Sequence, residues 1–312
     1  MILHNVYYYK SRRFGQKPQK FFLPRAAARF YRFLTGARYN SLKKSEGEIF
    51  MSIKTPAEIS QAALAAGIAK SRLALGTMLL MGFLAGAYIG MGGYFMLVVT
   101  QDAAQVAGVG ISKLLGGVVF SLGLFLVLTA GAELVTGNCL MPIAYLSKKI
   151  SFAAMLRNLC AVYCANFAGA LFFAALIYSS GLISEQCGAA ALSLAAMKSS
   201  LPVSYMLIRG VLCNWFVCLA VWIAFGAQDT AGKFVAALLP ISAFVAMGFE
   251  HCVANMFFIP LGLMLNGGAF PALTAAAFAK NLFFVTIGNA AGGAIFVALF
   301  YFLIFRKELT KA

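Results

Sequence analysis

The chain has 312 residues, 62% of them hydrophobic and 11% charged, where soluble domains run at roughly 45–50% and 25%. Such a composition excludes an ordinary soluble enzyme or a nucleic-acid-binding domain and describes an all-α protein built into a membrane. The net charge of +16 is uneven, because residues 1–50 hold 11 Lys or Arg against two Glu, a net of +9, and leave +7 for the remainder.

Taken in chain order, residues 1–50 contain no apolar run of signal-peptide length. Two readings stand for them. One is a basic extension that lies on anionic headgroups or stays disordered. The other is an over-extended gene start, since Met51 opens MSIKTPAEI, which reads as a protein start followed by an amphipathic helix. Residues 51–312 read as the membrane domain. Six spans are predicted, at about 73–99, 114–146, 152–180, 203–226, 233–265 and 281–305, and a helix needs ~20 residues to cross ~30 Å of hydrocarbon. The second and fifth run to 33 residues each and carry Gly, Pro, Asn and Glu near their middles, so they read as helices that break and restart.

Lys and Arg cluster before span one (Lys54, Lys70, Arg72), around the link between spans two and three (Lys148, Lys149, Arg157) and after span six (Arg306, Lys307, Lys311). The cytoplasmic side carries such an excess. Both termini therefore read as cytoplasmic, in a multi-pass protein of the cell inner (plasma) membrane surrounded by lipid. The seven cysteines fall mostly inside spans and read as small hydrophobes. Cys160 and Cys164 share a helix face, but no His or carboxylate clusters with them, so neither a metal nor a cofactor is expected.

GAELVTGN (131–138) and GFEHCVAN (248–255) both read G-x-E-x-x-x-x-N, and each is followed within five residues by a proline, Pro142 and Pro260. A second pair agrees: Arg157-Asn158-Leu159 leads in nine residues to Asn166, and Lys280-Asn281-Leu282 in nine to Asn289. The offsets, 117 and 123 residues, describe one duplication, with copies at about 72–180 and 203–306. A unit with an odd number of spans inserts its copies in opposite directions, which makes an inverted repeat. Non-helical backbone at membrane depth survives only where protein buries it or water wets it, so the two broken spans are expected to flank a conduit. Their restarting half-helices favour an anion at the centre.

The residues from about 55 to 307 resemble the formate/nitrite transporter family of small-anion channels and transporters. The resemblance rests on AGAELVTGN (130–138), ANFAGALFF (165–173), CNWFVCLAVW (213–222), GFEHCVANMFFIPLG (248–262) and VTIGNAAGG (285–293). It implies an aquaporin-like bundle of six transmembrane helices with the second and fifth interrupted, assembled as a homopentamer with one pathway per protomer. It also implies roles. Phe120, Leu134 and Phe244 would form an outer constriction, and Leu124, Val135 and Val217 an inner one. Between them His251 would face a polar chamber, with Thr136 opposite and Asn214 and Asn289 near. Lys198 matches the family's basic residue at the outer entrance.

One departure stands out: Val135 occupies a place where formate channels of the family usually carry Phe, and LVT is closer to relatives that conduct hydrosulfide. The resemblance thus implies transport of a small monovalent anion of a weak acid, formate, nitrite or hydrosulfide, with protonation of the anion in the pore. An ionisable side chain at bilayer depth costs at least ~2.5 kcal/mol, so His251 is functional by expectation. Glu133 and Glu250, with Asn138 and Asn255, are expected to hold the breaks, the carboxylates accepting from backbone amides freed there. Two rival classes fit less well. An enzyme would need a metal cluster, an HExxH or a GxSxG, and a neutral-solute aquaporin would carry NPA at its breaks.

Overall fold

The structure is a computed structural model that describes residues 53–311, together with the backbone of two short strands, β1 (Tyr7–Tyr8) and β2 (Lys20–Phe21). The chain divides into two compact units, Met1–Met51 and Ser52–Ala312. In the first, β1 and β2 pair antiparallel, Tyr7 opposite Phe21; both readings of residues 1–50 otherwise lie outside the described residues.

Helix α1 (Pro56–Ser71) starts where the sequence places its signals. Thr55 and Glu58 form a capping box, the Glu58 N–H donating to Thr55 Oγ1 at 3.3 Å and the Thr55 N–H to Glu58 Oε2 at 2.7 Å, with Pro56 at the first helical position. The Thr55 backbone hydrogen bond holds the Glu58 carboxyl below its ordinary range. This contribution to the helix is present above the usual glutamate pKa and fades as pH falls through the lowered value.

The spans follow: α2 (Leu75–Thr100), a short α3 (Ala103–Ala107), α4 (Val109–Phe120), α5 (Leu122–Ala130), α6 (Val135–Asn138), α7 (Pro142–Leu146) and α8 (Phe152–Ser179). Then come α9 (Glu185–Ser199), α10 (Val203–Gly226), α11 (Thr230–Ala246), α12 (Cys252–Leu265) and α13 (Ala275–Gly293). A π-helical stretch (Ala294–Leu299) continues α13 into α14 (Phe300–Ile304), and α15 (Arg306–Lys311) ends the described chain. Polar caps set several starts: the side chains of Ser151, Ser184, Asp229 and Thr274 each accept from the backbone N–H three residues on.

Among the described residues, five helical stretches are long and apolar enough to cross a membrane, Leu75–Thr100, Val109–Ala130, Phe152–Ser179, Val203–Gly226 and Ala275–Ile304. The remaining span, fifth in chain order, is made of two shorter apolar pieces, Thr230–Ala246 and Cys252–Leu265. The second span is interrupted after Ala130 and the fifth after Ala246, as the sequence predicts. Both first halves run out at a glycine in the left-handed region, Gly131 (φ 79°) and Gly248 (φ 76°), a conformation that glycine alone adopts without strain. The two glycines are 117 residues apart, the spacing of the repeated motif.

Between the third and fourth spans the chain forms a further helix, α9. It stands to α10 as α1 stands to α2, and it packs on α12 as α1 packs on α7. The repeated unit therefore includes α1 and α9 as well as three spans.

Within each copy the first and third spans lie in close contact, α2 on α8 and α10 on α13. Small residues permit it: a β-carbon at Gly169 would overlap the Phe83 carbonyl, and one at Gly292 the Val211 carbonyl. In lipid, this close approach replaces the hydrophobic drive that holds helices together in water. Gly292→Val is expected to cost about 1–3 kcal/mol, the usual range for overpacking, read as a lowered Tm of the purified protein. An unchanged Tm would show that the pair can separate freely.

Candidate functional site

The two breaks are held by the same polar network built twice. At the first, the Glu133 carboxylate accepts from Lys70 Nζ and, at 2.7 Å, from Asn138 Nδ2. Asn138 Nδ2 also donates to Asn158 Oδ1 (2.8 Å), and Asn158 Nδ2 donates to the Lys70 carbonyl (3.2 Å). At the second, the Glu250 carboxylate accepts from Lys198 Nζ (2.9 Å) and Asn255 Nδ2 (2.8 Å). Asn255 Nδ2 donates to Asn281 Oδ1 (2.7 Å), and Asn281 Nδ2 to the Lys198 carbonyl (2.9 Å).

A further asparagine ties each break to its neighbours. Asn166 Nδ2 donates to the carbonyls of Gly82 (2.8 Å) and Glu133 (2.9 Å), while its Oδ1 accepts from the Val135 N–H (2.9 Å). Asn289 repeats this with Gly210 (2.8 Å), Glu250 (2.9 Å) and the Cys252 N–H (2.8 Å). Counterparts in the two copies are 128 residues apart on the first helices, 117 at the breaks and 123 on the last span. Backbone that cannot pair within a helix must find partners at membrane depth, and these side chains supply them.

Three expectations change here. Glu133 and Glu250 accept from lysine and asparagine side chains, while the freed amides go to Asn166 and Asn289; a carboxylate at bilayer depth needs the cationic partner more than a neutral amide does. Lys198, expected at an open entrance, is buried at 7% exposure and ion-paired with Glu250, its Nζ 5.9 Å from the Phe258 ring centre. The amide-rich ends of the half-helices are partly occupied by the protein's own acceptors, Asn166, Asn289 and His251.

The groups facing the space between the breaks are present once. Leu134 and His251 are equivalent by the 117-residue offset, and both have extended backbone (φ −109°, ψ 121° and φ −113°, ψ 118°). Extended backbone sends consecutive side chains to opposite sides. His251 Nε2 lies 3.0 Å from Thr136 Oγ1, and His251 Nδ1 accepts the Ala254 N–H at 3.1 Å. With Nδ1 an acceptor, the neutral ring carries its proton on Nε2 and donates to Thr136. Asn214 Nδ2 donates to the carbonyls of Thr136 (3.2 Å) and Asn289 (2.7 Å), and Cys218 Sγ to that of Thr136 (3.3 Å). All of these residues are buried. The counterparts of Thr136, Asn214 and Cys218 are Val253, Gly86 and Gly90, so this polar set has no copy.

On one side of His251 an aromatic group closes in: Phe244 stacks on the imidazole at 6.1 Å, Phe120 meets Phe244 edge-on at 6.2 Å, and Phe258 stacks on Phe120 at 6.3 Å. On the α1 side a cavity of about 220 Å³ is walled by Leu124, Leu134, Lys70, Glu133 and Asn138. Leu134 thus shares a wall with Leu124 rather than standing only with Phe120 and Phe244. Val217 is buried. Val135 turns the other way, with Cys252, into a cleft between α8 and α13, because it follows Leu134 on extended backbone.

Lys70, Asn158 and Asn281 were not among the expected site residues. The signal for Lys70 is in the chain: K-S-x-L occurs at 70–73 and again at 198–201. Asn158 and Asn281 stand in the R/K-N-L pair already noted, one residue past the basic positions.

Comparison with known proteins agrees with this architecture. The formate/nitrite transporter family matches residues 57–303. The chain is 41% identical over 261 residues to the uncharacterized transporter YrhG of Bacillus subtilis, covering 83% of this chain and 96% of that one. It is 40% identical over 186 residues to the formate channel FocA of Haemophilus influenzae, covering 59% and 65%. A solved pentameric formate channel with formate bound superposes with a TM-score of 0.67 at 33% identity, covering 74% of this chain and 98% of that one. Matched along nearly its whole membrane unit and carrying both interrupted spans, this chain is a member of the formate/nitrite transporter family, a multi-pass membrane channel or transporter.

Proposed function

We propose that the protein conducts small monovalent anions of weak acids, formate first among them, as one protomer of a homopentamer with a pathway in each protomer. The observation that carries this reading is the His251–Thr136 contact: the imidazole donates to a threonine hydroxyl whose own proton is left to point at a cargo, between an aromatic group and a leucine-walled cavity. Formate stands first because relatives bear that description. The hydrosulfide alternative leans on Val135, whose side chain lines the lateral cleft. The Lys and Arg distribution supports a plasma-membrane protein with both termini in the cytoplasm.

An unpaired anion in a greasy passage carries a large desolvation cost, and the neutral acid a small one. Lys70 and Lys198 are each neutralised by a glutamate, so neither offers a bare cation to the cargo. In this reading the anion accepts the Thr136 hydroxyl hydrogen bond and takes up a proton that enters from the water-facing side by way of the His251 imidazole. It then passes Phe120, Phe244, Leu124, Leu134 and Val217 as the acid. Asn214 holds Thr136 in place through its carbonyl, and Asn289 holds the second break.

His251→Asn keeps an acceptor for the Ala254 N–H and removes the titratable ring. In proteoliposomes the parent is expected to carry formate faster as pH falls, and the variant to lose most of that dependence. Superimposable pH profiles would remove His251 from the mechanism. Swelling in glycerol without flux of formate, nitrite or hydrosulfide would overturn the anion reading altogether.

A further inference from the structure

We propose that the cleft between α8 and α13 is a thiol-modification site for uncharged, lipid-soluble, soft electrophiles such as organomercurials, and that an adduct there shuts the anion pathway from behind. The second half rests on the reading of Thr136 and His251 given above.

The cleft has a volume of about 280 Å³ and is lined by four cysteines, Cys139, Cys160, Cys164 and Cys252, together with Val135 and Thr136. Cys160 and Cys164 are one turn apart on α8 and exposed, while Cys139 and Cys252 are buried. The nearby polar groups are already engaged. Tyr163 Oη and Thr286 Oγ1 share a hydrogen bond at 3.1 Å, and Asn289 is used at the second break. What the cleft offers a ligand is therefore sulfur and carbon. Soft thiol ligands select soft metals, and a reagent dissolved in the hydrocarbon reaches a face between two spanning helices without crossing water.

The coupling is geometric. Thr136 forms part of the cleft wall, and its hydroxyl is held by His251 at 3.0 Å. Cys252, on another wall, is held through its N–H by Asn289. Tyr163 and Thr286 are themselves equivalent by the 123-residue offset, and their hydrogen bond, with the Phe167–Phe278 stack at 6.1 Å, bridges α8 and α13 beside the cleft. A bulky group on Cys160 or Cys164 fills the space against Val135 and Thr136 and displaces Thr136 from the imidazole. With phenylmercuric chloride the S–H and Hg–Cl bonds break and an S–Hg bond forms. Proton and chloride leave together, and no other reagent is consumed; excess free thiol reverses the exchange.

The experiment treats full-length protein in proteoliposomes with phenylmercuric chloride, then measures formate flux and intact mass. The expected result is loss of most flux, with phenylmercury adducts that disappear in the Cys160→Ala/Cys164→Ala variant, which goes on conducting under treatment. Dithiothreitol is expected to restore the parent. Mass without adducts at these two cysteines would overturn the site, because the face is then covered in the assembled protein. Adducts with undiminished flux would overturn the coupling. An untreated parent that carries no formate would sink the functional reading instead, while the adduct mass still decides whether the site exists.

Discussion

Glu250→Leu is expected to destabilise the protein by about 3–5 kcal/mol, the cost of stranding one partner of a buried ion pair. Lys198 is 7% exposed and Glu250 1%, so neither water nor a second carboxylate stands ready to take over. The loss also frees Asn255 Nδ2 from one of its two acceptors. The measurement is the Tm and the monodisperse fraction of purified protein. Lys198→Met combined with Glu250→Leu should recover much of the deficit, because an apolar pair of similar volume is often neutral where an ion pair was. Glu133→Leu should cost less, since the Lys70 side chain is 25% exposed beside the cavity on the α1 side. Equal effects at the two breaks would mean that Lys198 is wetter than its geometry states, and a Glu250→Leu protein as stable as its parent would show the pair to be dispensable.

The second large effect is expected for Asn289→Leu. Removing this amide leaves the carbonyls of Gly210 and Glu250 and the N–H of Cys252 without their side-chain partner. The Gly210 carbonyl keeps its helical N–H inside α10, but the Glu250 carbonyl and the Cys252 N–H lie at the break; each buried orphan costs roughly 1–3 kcal/mol, so the two together take a large share of the stability of a typical domain. Asn289→Asp keeps the acceptor for the Cys252 N–H but turns a carboxylate toward two carbonyls, and should fail nearly as badly. Because the backbone that Asn289 ties down at Glu250 and Cys252 also carries His251 between them, any protein that survives should lose formate flux as well. Survival of Asn289→Leu with full stability and flux would show that water, not this side chain, satisfies the break.

Much of this was legible in the chain, for identifiable reasons. Lipid leaves few ways to satisfy backbone, so a span that breaks must announce it with Gly, Asn and Glu, and GAELVTGN and GFEHCVAN did. The asparagines 166 and 289 were found because both sit in small-residue runs at fixed distance from a basic residue. Lys70 was missed because its helix reads as a lead-in to the first span, and its offset from Lys198, 128 residues, differs from the 117 and 123 of the later motifs. Separate loop changes shift the register of each element, which hides a partner unless the motif itself repeats. Val135 shows a different limit. Motif matching placed Leu134 and Val135 in two rings of one conduit, whereas extended backbone at Leu134 puts them on opposite faces. That distinction depends on one ψ angle, which no residue pattern states.

The clamp that holds the breaks exists in duplicate, and the imidazole, hydroxyl and amide between the breaks exist once. Thr136, Asn214 or His251 can therefore be altered without touching the duplicated glutamate, lysine and asparagine network that holds the two interruptions. The space they line is lopsided as well: benzene rings stand on one hand of the imidazole and leucines on the other, although the walls were cast from the same mould.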